Sequence, residues 1–139
     1  MRRLKTANEL NHVSVDKAGV LTIFKDIYQL QSKKIMLNTS ENISVYTVNE
    51  ILRCEAQKNY TTFYFKKGDS LLVSTALNAF EKLFKQYGFF RSHHSHLINL
   101  NYVNKFIKTD GGYIVMTDAS NVPVSHRKIE LFLKLLSSF

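Results

Sequence analysis

Clear helical periodicity with capping signals is confined to two separated stretches of this chain, and most of the rest from residue 34 onward reads as short strands. Leu77, Phe80, Leu83, Phe84 and Tyr87 recur at helical spacing. With Ser74 as N-cap and Gly88 in the C-capping place, they predict a helix of about three turns. A second helix is expected after Ser125, with Ile129, Phe132, Leu133 and Leu136 on its apolar face. A helix-turn-helix DNA reader needs consecutive helices, which this pattern does not offer. Strands and helices do not alternate as a parallel sheet requires, and no solenoid repeat is present.

The intervening segments carry β-branched and aromatic residues in alternation. Strands are expected at residues 35–37, 43–48, 51–56, 60–65, 70–73, 89–92, 97–99, 103–108 and 113–116. Lys67-Gly68-Asp69 and Asp110-Gly111-Gly112 mark hairpin turns, and Pro123 bars a long central strand nearby. The expected fold class is therefore mainly β with two helices, one after the mid-chain hairpin and one C-terminal. Residues 1–33 differ in texture. Val20, Leu21, Ile23, Phe24, Ile27 and Leu30 fall at helical spacing there, which predicts a linker or helical arm ahead of a domain spanning 34–139.

Composition adds limits more than direction. The net charge is +8, but residues 1–34 hold 7 basic and 3 acidic residues while 35–139 hold 12 and 8, so each part contributes +4. The N-terminal share suits an auxiliary phosphate contact, and the domain itself is only moderately basic. A basic balance permits nucleic-acid binding without establishing it. One cysteine, Cys54, excludes an internal disulfide framework and a cysteine-rich zinc site, and points to a reducing, cytoplasmic setting. No apolar run approaches a membrane span, and no apolar signal core follows the N-terminal arginines.

Three ordered segments are more specific. Ile51-Leu52-Arg53-Cys54-Glu55-Ala56-Gln57-Lys58-Asn59-Tyr60-Thr61 is close to an I-x-x-x-E-A-x-x-N-Y-T pattern. Phe90-Arg91-Ser92-His93-His94-Ser95-His96-Leu97-Ile98-Asn99 is close to F-x-R-x-H-R-S-x-x-V-N apart from its leading spacing, and Val122-Pro123-Val124-Ser125-His126-Arg127 to l-P-V-S-R-R. The helix bearing Glu81 falls between the first two. Together, over roughly residues 34–137, they resemble the LytTR family, the LytR/AgrA-type DNA-binding domain of bacterial response regulators. The resemblance implies an elongated stack of small antiparallel sheets with a helix at the side. It also implies a reader made of inter-strand loops entering successive major grooves. Its implied partner is double-stranded DNA carrying promoter direct repeats, on which a homodimer would form. Family members usually follow a receiver domain, which about 33 residues cannot hold. The chain is then either an output domain separated from its receiver or a regulator without one.

Asn59 matches the family's groove-reaching loop, where its amide would bond an adenine edge or a phosphate; by itself it also suits a turn. Lys58 beside it is suited to phosphate, and Tyr60 to stacking on a sugar or filling the sheet. His93 matches a buried structural place that donates to backbone, and His94 the DNA-facing place, with Ser95 in the same motif. Arg127 matches the arginine before the last helix, whose fork can pair with guanine O6 and N7. Arg91 and Lys128 are secondary phosphate candidates. His94 and His126 stand where the family usually has fixed cations, so binding is expected to strengthen as pH falls toward about 6.

Rival chemistries are weaker. His93, His94 and His96 would alternate sides along a strand, so they should not converge on a metal. Cys54, between Leu52 and Ala56, belongs on an apolar strand face. The glycines form no phosphate-cradling loop. The sequence thus offers no catalytic constellation and calls for no cofactor, metal or small-molecule substrate. The competing reading is a protein-interaction or dimerisation module that uses sheet edges.

Overall fold

The computed structural model describes residues 32–138. Residues 1–31 and 139, and with them almost all of the expected linker or helical arm, lie outside the described residues. Among the described residues, ten strands and two α-helices follow one another. The chain opens with β1 (Lys34–Asn38), β2 (Ile43–Thr47), β3 (Ile51–Gln57), β4 (Tyr60–Phe65) and β5 (Ser70–Val73), then α1 (Leu77–Phe84). It continues through β6 (Phe89–His93), β7 (His96–Asn99), β8 (Val103–Ile107), β9 (Tyr113–Met116) and β10 (Asn121–Pro123) to α2 (Ile129–Ser137). Every expected strand is present with its ends shifted by at most one residue. β10 was not foreseen; it is a three-residue edge strand that ends on Pro123, where a missing N–H costs nothing.

The strands form three antiparallel sheets: β1–β2, a central sheet ordered β5-β4-β3-β7-β6, and β10-β9-β8. Each face of the central sheet carries a core. On one side Cys54, Phe63, Phe65, Phe89 and Leu97 pack with Ile35 and Leu37 of the β1–β2 hairpin and with Leu77, Phe80 and Phe84 of α1. On the other, Leu52, Phe90 and Ile98 meet Ile114, Met116 and Val122 of the third sheet and Phe132 of α2. Phe63 and Phe80 meet edge to face at 4.8 Å between ring centres.

A bulge between Ile51 and Arg53 makes the two-sided core possible. Leu52 is the extra residue, and it turns into the second core while Cys54 enters the first. The expectation that Leu52 shares Cys54's face is therefore corrected, because simple alternation does not survive the bulge. Asn99, 2% exposed, secures this region. Its Nδ2 donates to the Ile51 carbonyl at 3.0 Å and its Oδ1 accepts the Asn101 N–H at 3.0 Å.

Both helices differ in detail from the expected ones. The N-cap of α1 is Ala76, not Ser74, because the Ser74 N–H is bonded to the Asn38 carbonyl at 3.0 Å. Thr61, fully buried, donates from Oγ1 to the Thr75 carbonyl at 2.7 Å and delays the helix further. Gly88 takes the expected left-handed conformation at φ 84° after a 3₁₀ extension, Lys85–Tyr87. Leu83 and Leu133 are exposed, whereas Leu135 packs against the second core in the place expected of Leu133. Ser125 makes no side-chain cap; it precedes a 3₁₀ turn, His126–Lys128, that leads into α2.

Candidate nucleic-acid interface

Three separate turns meet at one end of the central sheet. Strands β3 and β4 are joined by Lys58-Asn59, with Gln57 opposite Tyr60 as the last pair. Lys58 has φ 57°, a left-handed backbone that costs a non-glycine residue about 1–2 kcal/mol. Strands β6 and β7 are joined by His94-Ser95, with His93 opposite His96. Because Glu55 pairs with His96 and the Ala56 N–H donates to the Ser95 carbonyl at 2.8 Å, these two turns are neighbours. Two strand spacings put their centres about 10 Å apart.

The third stretch is the 3₁₀ turn His126–Lys128, which runs along the outer edge of β6. The Ser125 N–H donates to the Ser92 carbonyl at 2.8 Å, and Lys128 Nζ donates to the Arg91 carbonyl at 2.9 Å. Lys58, Asn59, Tyr60, His94, His126 and Arg127 are exposed along this end of the fold, and Ser95 is half-buried. No hydrogen bond or ion pair within the described residues occupies the side chains of Lys58, Asn59, His126 or Arg127. The sequence candidates are thus brought together, apart from two.

Arg91 and Lys128 point into the fold. The side chain of Arg91 is 13% exposed and pairs with Glu81 of α1 at 2.6 Å. It also donates to Asn78 Oδ1 at 3.0 Å, to the His93 carbonyl at 3.1 Å and to the His94 carbonyl. Burial, together with Arg127 and Arg91, lowers the Lys128 pKa, partly offset by Glu81. An amine in that position, already bonded to a carbonyl, is a docking group. Sequence reading missed Asn78 as a partner, and treated Glu81 only as part of a helix motif; neither signals a salt bridge across ten residues.

The histidines depart from expectation. A hairpin turn at His94-Ser95 reverses the chain, so the side-alternation of a continuous strand does not apply. The rings gather instead: His93 lies 4.2 Å from His94 and 5.8 Å from His96 between centres. His93 is half-buried, and its Nδ1 accepts the Ser95 N–H at 3.2 Å where donation to backbone was expected. Burial, then electrostatic repulsion from His94, Lys128 and Arg91, lowers its pKa. Burial is also the main cause that lowers His96, against an opposing pull from Glu55. The ring contacts make the turn compact.

Among the described residues no group of three or more His, Cys, Asp or Glu side chains is placed to hold a metal. Cys54 is fully buried in the first core, and burial pushes its thiol pKa well up, away from nucleophilic chemistry. A groove of about 490 Å³ lies between α1, the β6 edge and α2, floored by Phe89, Phe90, Leu100 and Leu131. No described helix is long and apolar enough to cross a membrane.

The family model of the LytTr DNA-binding domain matches residues 41–137 of the chain. Among solved structures, the chain is similar to the LytTr DNA-binding domain of a Bacillus cereus protein described as a methyl-accepting/DNA response regulator. The match has a TM-score of 0.64 and 23% identity, and covers 74% of this chain and 95% of that one. No curated protein matches.

Proposed function

Because the chain belongs to the LytTr DNA-binding domain family, we propose that it is the output domain of a transcriptional regulator. In this reading it binds double-stranded promoter DNA through the turns at one end of its central sheet. Residues 34–139 form the DNA-binding domain, residues 1–33 a linker or helical arm, and the site of action is cytoplasmic. The supporting observation is the clustering of exposed Lys58, Asn59, His94, His126 and Arg127 on three turns tied by backbone hydrogen bonds to neighbouring strands of the central sheet.

Roles follow from chemistry. Lys58, a point charge at a turn tip, suits a phosphate. Asn59 can satisfy an adenine edge with its two-sided amide, and Arg127 a guanine with its fork. His94, with Ser95 beside it, occupies the central turn and takes a base edge or phosphate, while His126 supplies a ring nitrogen beside Arg127. Tyr60, at 45% exposure, offers its ring to a sugar. Turns rather than a helix enter successive major grooves, and direct repeats in the target recruit two copies.

Selection of bound duplexes from a random DNA pool tests the proposal. Enrichment of one motif, repeated at a spacing near a helical turn, is expected; a pool that stays unenriched refutes sequence-specific reading. The sheet-edge interaction module has an observation of its own in exposed Met36, Ile43 and Val45 on the β1–β2 hairpin. It predicts self-association in solution without any DNA motif.

A further inference from the structure

We propose that Arg91 is a positioning residue that fixes the His94 turn for DNA reading, and that its guanidinium does not contact phosphate. The inference rests on the DNA-binding reading above and deepens it.

A guanidinium offers five N–H donors in a rigid plane. Arg91 spends four of them on two separate elements. Nη1 bridges Glu81 Oε1 at 2.6 Å and Asn78 Oδ1 at 3.0 Å, both on α1. Nε reaches the His93 carbonyl at 3.1 Å, and Nη2 reaches the His94 carbonyl. Those consecutive carbonyls belong to the last residue of β6 and the first residue of the turn, so holding both fixes the direction in which the turn leaves the sheet. The backbone carbonyl of Arg91 in turn accepts Lys128 Nζ at 2.9 Å, which seats the turn that carries Arg127. One residue therefore ties the central turn to α1, and its own peptide anchors the neighbouring turn.

Electrostatics favours the same assignment. Glu81 neutralises the guanidinium at contact distance, and the side chain is 13% exposed. A phosphate would have to displace Glu81 or share an already occupied fork. Lysine cannot substitute, because a single ammonium cannot span acceptors on both elements. Packing alone would set the turn less sharply, since His93 and His94 at the tip meet only through rings tilted at 36°.

The test compares wild type with Arg91→Lys, Glu81→Gln and Asn78→Ala, each titrated against the selected duplex and a scrambled duplex across a range of salt. Arg91→Lys and Glu81→Gln are expected to lose roughly tenfold on the selected duplex, the scale of one mismatched base pair. Affinity for the scrambled duplex and the salt slope should stay at wild-type values, and base preference should relax under the His94 turn. Glu81→Gln removes a negative charge near the DNA face, so a direct phosphate role for Arg91 predicts equal or tighter binding from it. Unchanged discrimination in Glu81→Gln overturns the proposal. So does an Arg91→Ala variant whose salt slope falls by about one, the mark of a lost phosphate contact. Retained affinity for the scrambled duplex shows that each variant is folded. A wild-type protein without sequence preference overturns the DNA reading itself, and this assignment with it.

Discussion

Replacing Arg127 with alanine should separate binding from stability, because the structure gives this side chain nothing to hold inside the fold. Arg127 is exposed in the 3₁₀ turn His126–Lys128, with no hydrogen bond or ion pair to any described residue. Removing an unpartnered surface side chain changes stability by no more than about 0.5 kcal/mol. Here the sign should favour the variant, since a cation at the start of a helical segment opposes the helix dipole, by about 0.3–1 kcal/mol at low salt. Lys128, whose pKa Arg127 helps to lower, also gains from the removal. On DNA the account predicts the opposite sign. A guanine fork is worth about 1–3 kcal/mol of discrimination, or roughly 5- to 150-fold in affinity for the selected duplex. Arg127→Lys should restore the non-specific affinity and the salt slope while leaving base preference relaxed. Fluorescence anisotropy on selected and single-substituted duplexes reads the binding, and thermal unfolding reads the stability. Equal affinity and unchanged base preference in Arg127→Ala would refute the assignment. A fall in stability of more than about 1 kcal/mol would show that the residue is structural after all.

Other perturbations test neighbouring parts of the argument. Asn99→Ala leaves the buried Ile51 carbonyl and the part-buried Asn101 N–H without their side-chain partner, and should cost about 1–3 kcal/mol in denaturant unfolding, the scale of one buried orphan. Lys58→Gly relieves a backbone at φ 57°, so unfolding stability should hold or rise by up to about 1 kcal/mol. DNA affinity should fall and the salt slope drop by about one; a wild-type slope removes Lys58 from the phosphate contacts. His93 and His96 have folded-state pKa values lowered below the ordinary 6.5, chiefly by burial, so as pH falls the unfolded chain takes up protons first. Their contribution to stability is complete above about pH 6.5 and declines below it, and His96→Gln should flatten that decline in unfolding curves collected from pH 5 to 8.

The strands were legible because each carries its own signal. Alternation at 60–65 and glycine turns at 68 and 111–112 are local, and β1 to β9 fall where they predict. What stayed hidden depends on tertiary partners. Ser74 looks like an N-cap, yet the Asn38 carbonyl, far off in sequence, claims its N–H. Leu52 looks like a neighbour of Cys54, yet a bulge sends it to the opposite core. The candidate site divides in the same way. Lys58, Asn59, His94 and Arg127 could be named from short motifs, since a turn tip projects whatever residue it carries. Arg91 and Lys128 could not be told from surface cations, because their acceptors lie on α1, in the β6–β7 turn and in a backbone carbonyl. The three histidines converge only because their chain turns back within the motif itself.

The central claim, that these turns bind DNA through its phosphates as well as its bases, is tested most directly by measuring affinity for the selected duplex against salt concentration. The account predicts a straight line of log affinity on log salt, with a slope of about −0.9 for each phosphate neutralised. Lys58 alone would give a slope of about −0.9, and each further phosphate contact adds as much. An affinity that barely changes across the same salt range would contradict it, and would favour a protein partner on the exposed Met36, Ile43 and Val45 of the β1–β2 hairpin.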